Sequence, residues 1–224
     1  MRVLSLVAVS SFVAGLTLLV AGLTHKDDGQ SEASPPFDLR TTEPVATVTP
    51  TTPGITPTAT SVPFDGQIAR MVSDDISGLN GPVEEIGFVA SSSQLDAPGD
   101  AEHVGWYGMY PKPGFEGNAV FAGHVNFNRR NGPFVNLKTA QGGDVIAIQM
   151  KDGPTYTYKV FFYRQYDLET IPMAELIAAP TRPAGEQWIT LITCGGEFLA
   201  DPGSDFGHYL QRDVVIARRV TESN

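Results

Sequence analysis

One cysteine, four histidines and the arginines near the C-terminus are the residues from which this 224-residue chain could build chemistry. The cysteine, Cys194, lies in QWITLITCGG, residues Gln187 to Gly196. Ile189 to Thr193 is apolar and β-branched, which predicts a buried strand. Gly195 and Gly196 follow at once and are expected to end it, so the thiol would sit where a rigid strand gives way to a loop. A thiol there can be a nucleophile if a base or a cation favours its thiolate, and acyl chemistry further needs donors for an oxyanion. The competing reading is a small buried hydrophobe, the usual state of a free cysteine.

Partners for the thiol are sought by position. His124 follows AVFAG, so it too stands where an apolar strand ends, and Gly123 before it permits close approach. The alternative for His124 is a strand-end histidine bonded to nearby backbone. His208 lies in the segment after the cysteine and is the second candidate. His103, in AEHVGW, reads as a surface residue, and His25 abuts a long apolar run. Arg212 opens DVVIARRV. If its strand pairs antiparallel with that of Cys194 across the connection Gly195 to Gln211, the two residues become neighbours. A guanidinium is always charged and presents several donors, which suits a developing oxyanion. Arg218 and Arg219 are expected to be solvated.

The elements that would carry these residues are mostly strands. Val83–Ala90, Ala119–Gly123, Asp144–Met150, Thr155–Tyr166, Trp188–Thr193 and Asp213–Val220 are short apolar segments separated by Gly, Pro, Asn and Asp. Asp152-Gly153-Pro154 predicts a hairpin. Tyr156, Tyr158, Val160 and Phe162 should share one face by the two-residue period. Pro172–Ala178 is the one segment that reads as a helix, with Pro172 at its start. Many short strands and few helices point to a closed β-barrel or a sandwich.

Ahead of this domain, taken as residues 66–224, come two different stretches. Val3 to Leu23 has no charged side chain. As a helix it spans about 31 Å, enough for a hydrocarbon core of about 30 Å. Arg2 precedes it, while Lys26 is offset by Asp27 and Asp28, so residues 1–26 predict a single-pass anchor with a cytoplasmic N-terminus. A cleaved signal peptide is the alternative, with a long apolar region for that role and no clean small-residue cleavage site. Residues 27–65 hold seven prolines and many threonines. Such a composition cannot order itself by burial, and predicts a disordered extracellular stalk of up to about 120 Å.

The net charge of −10 argues against a nucleic-acid partner, which calls for a basic surface. A single cysteine cannot form an internal disulfide or a cysteine-built zinc site. On an exported domain a lone thiol is a liability unless it is kept for chemistry.

Gly123-His124, Thr190-Leu-Ile-Thr-Cys194 and Arg212 ahead of Val214-Val-Ile-Ala217 together resemble the sortase family of cysteine transpeptidases. His103–Val125, Asn131–Ile148, TLITCGGEF and GHYLQRDVVIA are similar to class F and class E sortases, so the likeness runs over about Ala69–Val220. The CGG and GHY triplets lean toward class F. Asp213 departs from that pattern, where an Asn is expected.

The resemblance implies a mainly β fold, a closed eight-stranded barrel with short helices behind an N-terminal transmembrane helix and a disordered linker. It implies His124, Cys194 and Arg212 as catalytic residues, Thr193 as substrate-binding, and Asp167–Gly185 as a substrate wall. It implies no cofactor or metal. Its partners would be surface proteins bearing an LPXTG-like sorting signal, and an amine acceptor from a cell-wall precursor or a pilin lysine. The site would work on the outer side of the membrane. An ordinary thiol and an ordinary imidazole are both in their active ionic forms in only about 1% of molecules at intermediate pH, which implies slow turnover. Other readings are a non-catalytic wall-anchored barrel and a cysteine peptidase that only hydrolyses. A papain-like order would place Cys before His, and an L,D-transpeptidase would carry an SHGC-type signature that is absent here.

Overall fold

The computed structural model describes residues 63–89, 94–203 and 207–220. The apolar run Val3–Leu23, His25 and all of the linker up to residue 62 lie outside the described residues. Among the described residues no helix is long and apolar enough to cross a membrane.

Eight strands close a barrel. They are β1 (Ile68–Val72), β2 (Asn80–Ile86), β3 (Val104–Tyr107), β4 (Gly117–Gly123), β5 (Val145–Met150), β6 (Thr155–Asp167), β7 (Gln187–Ala200) and β8 (Gly207–Arg219). Around the barrel they run β1-β2-β3-β4-β7-β8-β6-β5 and back to β1. Pairing is antiparallel except for β2 with β3 and β4 with β7. Helix α1 (Met173–Ala178) lies between β6 and β7, with Pro172 as its N-cap and Ala179 in the left-handed region at its end. Of the closed barrel and the sandwich that the strand pattern allows, the barrel is what forms.

Alternation fills the interior. Ala119 and Phe121 of β4, Ile146 and Ile148 of β5, Ile189 and Leu191 of β7, and Val215 and Ala217 of β8 all enter one core. Along β6, Tyr156, Tyr158 and Val160 join them as the period requires. Phe162 does not. The register against β8 shifts between Val160 and Phe162, and the extra residue reverses the phase, so Tyr163 packs on the core in its place. The hairpin at Asp152-Gly153-Pro154 forms as expected, with Asp152 at φ 56° and the Met150 N–H donating to the Pro154 carbonyl at 3.1 Å.

Two strands were not anticipated. β1 is short and mixed in burial, and β3 is four buried residues directly behind the polar loop around His103. The end of the linker is also part of the fold. Phe64 packs against the core and its N–H donates to the Tyr156 hydroxyl at 3.2 Å.

The largest correction concerns Gly195 and Gly196. They do not end the strand of Cys194, which runs on to Ala200, and β8 starts at Gly207 rather than at Arg212. The expected 17-residue connection is therefore mostly two arms of a long hairpin. Gly195 pairs with Gln211 and Phe198 with Tyr209, so Gly196 and Glu197 stand opposite Leu210 alone. This is a β-bulge, and Gly196 takes it at φ 71°. The Gln211 side chain fills it. Its Oε1 accepts the Glu197 N–H at 2.8 Å, and its Nε2 donates to Asp167 Oδ1 at 3.0 Å.

Gly196→Ala should therefore destabilise the protein by about 1–2 kcal/mol, because it forces a Cβ into the left-handed region and against the Gln211 amide. Gly142→Ala, where a Cβ meets nothing within 4 Å, is the control and should change stability by less than about 0.5 kcal/mol in urea unfolding.

Candidate active site

The ladder of β4, β7 and β8 decides which side chains meet. Cys194 pairs with Arg212 across the antiparallel β7–β8 ladder, as the sequence suggested. β4 and β7 pair in parallel up to Ala122 with Ile192, and two residues further along each chain stand His124 and Cys194. Neighbouring strands lie about 4.8 Å apart. The three candidate residues thus occupy one row across three adjacent chains. On the far side of β8, Arg212 pairs with Tyr166 of β6, which extends the row.

These side chains share a face. Ile189, Leu191, Val215 and Ala217 point into the barrel, so by alternation Cys194 and Arg212 point out of it. That outer face is covered further along by the segment 168–186. Asn118 of β4 fixes this segment. Its Nδ2 donates to the carbonyls of Leu176 and Ile177, at 3.3 and 2.9 Å, and its Oδ1 accepts the Thr190 hydroxyl at 3.0 Å. The expected wall therefore stands over β4 and β7 at Asn118 and Thr190, on the same outer face as the thiol, which is half-buried.

His124 is held on several sides. Its Nε2 lies 2.9 Å from the Pro98 carbonyl, which can only accept, so Nε2 carries a proton and Nδ1 is the ring nitrogen left for chemistry. Phe127 stacks on the imidazole at 4.7 Å and 29°. Asn128 and Arg129, both at positive φ, turn the chain between the short strands Asn126–Phe127 and Arg130–Asn131, which brings Phe127 back over the ring. The backbone bond that was the alternative for His124 is present, and it uses one nitrogen only.

The loop that supplies Pro98 is itself fixed. Tyr107 donates its hydroxyl to the Asp96 carbonyl at 2.7 Å, and Asp100 bonds His103 at 2.7 Å. His103, expected at the surface, is half-buried and serves this loop. Its side-chain bond, with the N–H groups of Glu102 and His103, lowers the Asp100 carboxyl from 3.8 to about 2. Because the folded value is the lower one, ionised Asp100 supports the loop at neutral pH, and this support fades as pH falls through 3.8 toward about 2.

Arg212 curls back on its own strand, its Nη1 donating to the carbonyls of Gln211 at 2.8 Å and Tyr209 at 3.2 Å. Asp213, the next residue, faces the other way and is 2% exposed. Its Oδ1 accepts the Tyr163 hydroxyl at 3.0 Å and Gln165 Nε2 at 2.9 Å. Burial first, and then the bond to Asp213, push the Tyr163 phenol up to about 12, so it remains a donor. The Asp213 carboxylate also lies where a Cβ on Gly195 would fall, which explains that glycine.

Thr193 is placed differently from the sequence expectation. It is buried, and its hydroxyl donates to the Gly123 carbonyl at 2.7 Å, on the barrel side of β7. Its side chain ties the end of β4 to β7 and faces away from the groove side, the outer face that carries Cys194 and Arg212. His208 pairs with Leu199, well up the hairpin from Cys194, and is not brought to the thiol. Among the described residues no three His, Cys, Asp or Glu side chains group as they would for a metal ion. Asn118, Tyr166 and Gln211 escaped the sequence reading, since nothing local marks them.

A closed barrel with a strand-borne Cys, a strand-end His and an Arg in one row has the parts a cysteine acyl-transfer site needs. The sortase domain model matches residues 77–220. The structure is similar to the SrtA sortase from Actinomyces oris, with 25% identity, a TM-score of 0.50, and coverage of 71% of this chain and 83% of that one. It shares its fold with Streptococcus agalactiae sortase C1, with 18% identity, a TM-score of 0.51, and coverage of 72% and 73%. No curated protein sequence matches the chain. This chain belongs to the sortase family, and it is a cysteine transpeptidase.

Thr193→Val keeps the shape but leaves the buried Gly123 carbonyl without its donor. It should cost about 1–2 kcal/mol in urea unfolding, more than an exposed threonine would.

Proposed function

We propose that this sortase cleaves an LPXTG-like sorting signal between Thr and Gly and passes the acyl group to an amine. The Cys194 thiolate attacks the Thr carbonyl carbon, and the electron pair moves to the oxygen, beside the Arg212 guanidinium. The carbonyl re-forms, the C–N bond to Gly breaks, and the His124 imidazolium protonates the departing amine. A thioester on Cys194 remains. The acceptor amine attacks it, His124 takes the amine's proton, and the thiolate leaves. A cell-wall precursor or a pilin lysine is the acceptor class. What carries this reading is the single row of His124, Cys194 and Arg212 on the outer face of the barrel, the face that the 168–186 wall also covers further along.

Thr193 contributes by holding β4 to β7 at the site. The CGG and GHY triplets support a class F or class E assignment. The anchor in residues 1–26 and the stalk in 27–65 would hold the domain of residues 66–224 on the outer side of the cell membrane. A purely hydrolytic peptidase is the second reading. It shares every step up to the thioester and differs in the acceptor.

Mass spectrometry of the full-length chain, incubated with a library of sorting peptides and candidate amines, tests both readings. A thioacyl adduct on Cys194, turned over to an amide, is expected. Turnover by water alone supports the peptidase, and no adduct with any peptide overturns both. Cys194→Ala should abolish the adduct while changing stability by less than about 1 kcal/mol, because the thiol is half-buried rather than packed in the core. Arg212→Lys should lower kcat by about 10²–10³-fold, since an ammonium does not reproduce the guanidinium fork. Acylation should follow a bell-shaped pH profile. A profile with one ionisation would count against the thiolate–imidazolium pair.

A further inference from the structure

The GHY triplet and the hairpin beyond the bulge have no part in the chemistry above, yet three contacts converge on one of their residues. The Tyr209 hydroxyl accepts Asn126 Nδ2 at 2.6 Å, two residues after His124. The Tyr209 carbonyl accepts Arg212 Nη1 at 3.2 Å. The Tyr209 ring meets Phe198 edge-on at 5.1 Å, four residues after Cys194 on the same strand. Each of the three segments bearing a candidate catalytic residue is thus tied to Tyr209.

We propose that Tyr209 and Asn126 form a clasp that holds the His124 segment against the hairpin bearing Cys194 and Arg212, making both positioning residues for the transpeptidase. The proposal rests on the Cys194–His124 pairing argued above. His124 lies beyond the last residue of β4, so no strand ladder fixes it to β7. Two side-chain ties replace the ladder. On the barrel side, the Thr193 hydroxyl holds the Gly123 carbonyl. On the hairpin side, Asn126 holds Tyr209. The other contacts of His124, its ring with Pro98 and Phe127 and its carbonyl accepting the Phe134 N–H at 3.1 Å, tie it to its own side of the barrel end and do not reach the hairpin.

The glycine of the triplet has a role in building the clasp. Gly207 pairs with Ala200 where a Cβ would strike the Leu199 carbonyl, so the arms close only with glycine there. The bulge at Gly196 and Glu197 then sets Phe198 opposite Tyr209. Errors of about 1 Å in the placement of reacting groups cost about 10²-fold in rate, so a tie at this position bears on chemistry.

The test reads the imidazole–thiol pair without a peptide. Cys194 in the full-length chain in detergent is alkylated with iodoacetamide at pH values from 5 to 9, and the rate is followed by intact mass. An imidazolium beside the thiol sustains the thiolate, and hence alkylation, on the acid side. Among the described residues, Arg212 across the ladder, Asp213 on the inner face of β8, Glu197 at the bulge, His208 further up the hairpin and Asp167 beside Gln211 are other charged or titratable groups on these elements, and the variants leave them in place. Tyr209→Phe keeps the ring and its contact with Phe198, and loses only the acceptor. It should lower the rate at pH 6 about fivefold relative to that at pH 8, the scale of one neutral hydrogen bond. Asn126→Ala should give the same loss, and the double variant no more than either alone. Profiles that superimpose on the wild type, or losses that add, overturn the clasp. So does a lowered Tm with an unchanged profile, which marks a purely structural tie. His124→Ala separates the two levels of the argument. If it matches the wild type, the Cys–His pairing itself fails, and there is nothing for the clasp to hold.

Discussion

The structure depends on register. A β ladder fixes neighbours to the residue, and a slip of one position sends every side chain to the opposite face. Two ladders meet on β7: the antiparallel one with β8 sets residue 194 opposite 212, and the parallel one with β4 runs to Ala122 and so brings the chain that continues to His124 alongside. The positions of Ile189, Leu191, Val215 and Ala217 lock that register, because a one-residue slip would take them out of the interior core. The thiol and the guanidinium face outward because the core faces inward. The placement of Cys194 and Arg212 is thus a by-product of the most strongly determined part of the fold.

Where the ladder stops, other devices take over. β4 ends at Gly123, and side-chain ties hold the residues beyond it. β7 and β8 outrun the barrel, and the bulge at Gly196 reconciles their lengths. An unfilled bulge would leave a backbone donor without a partner. Gln211 supplies the acceptor and at the same time reaches Asp167 at the end of β6. One amide therefore serves two elements.

Strands with clean alternation were legible in the sequence, and so were the residues at their ends. Cys194, His124 and Arg212 could be found because each abuts an apolar run whose direction and partner could be reasoned out. β3 was not legible, because four residues buried on both faces carry no period. Phe162 misled because a bulge is not written in the alternation it interrupts. Gly195 and Gly196 misled in the opposite sense, since paired glycines signal an end and a bulge equally well, and only the partner strand decides. Asn118, Gln211 and Tyr209 are polar residues whose roles exist only once distant strands are in register. The GHY triplet marked Tyr209 by resemblance, but no local pattern showed what any of the three would hold.

Asp213 shows how far alternation reaches into chemistry. As a departure from the class F pattern it sits next to the arginine proposed to hold the oxyanion, where a carboxylate could neutralise that charge. The period of two prevents this. Arg212 faces the groove, and Asp213 faces the barrel mouth, where Tyr163 and Gln165 solvate its carboxylate. A buried carboxylate is costly without such donors, and the Tyr163 phenol, pushed up to about 12, never ceases to be one. The same separation divides Thr193 from Cys194. On the groove side the row presents a cation, a thiol and an imidazole, while the acid and the hydroxyl that brace it lie on the inner face. An Asn in place of Asp213 would keep the shape of that inner face but not its charge, so the acid is compatible with the site because a strand, and not a loop, carries it.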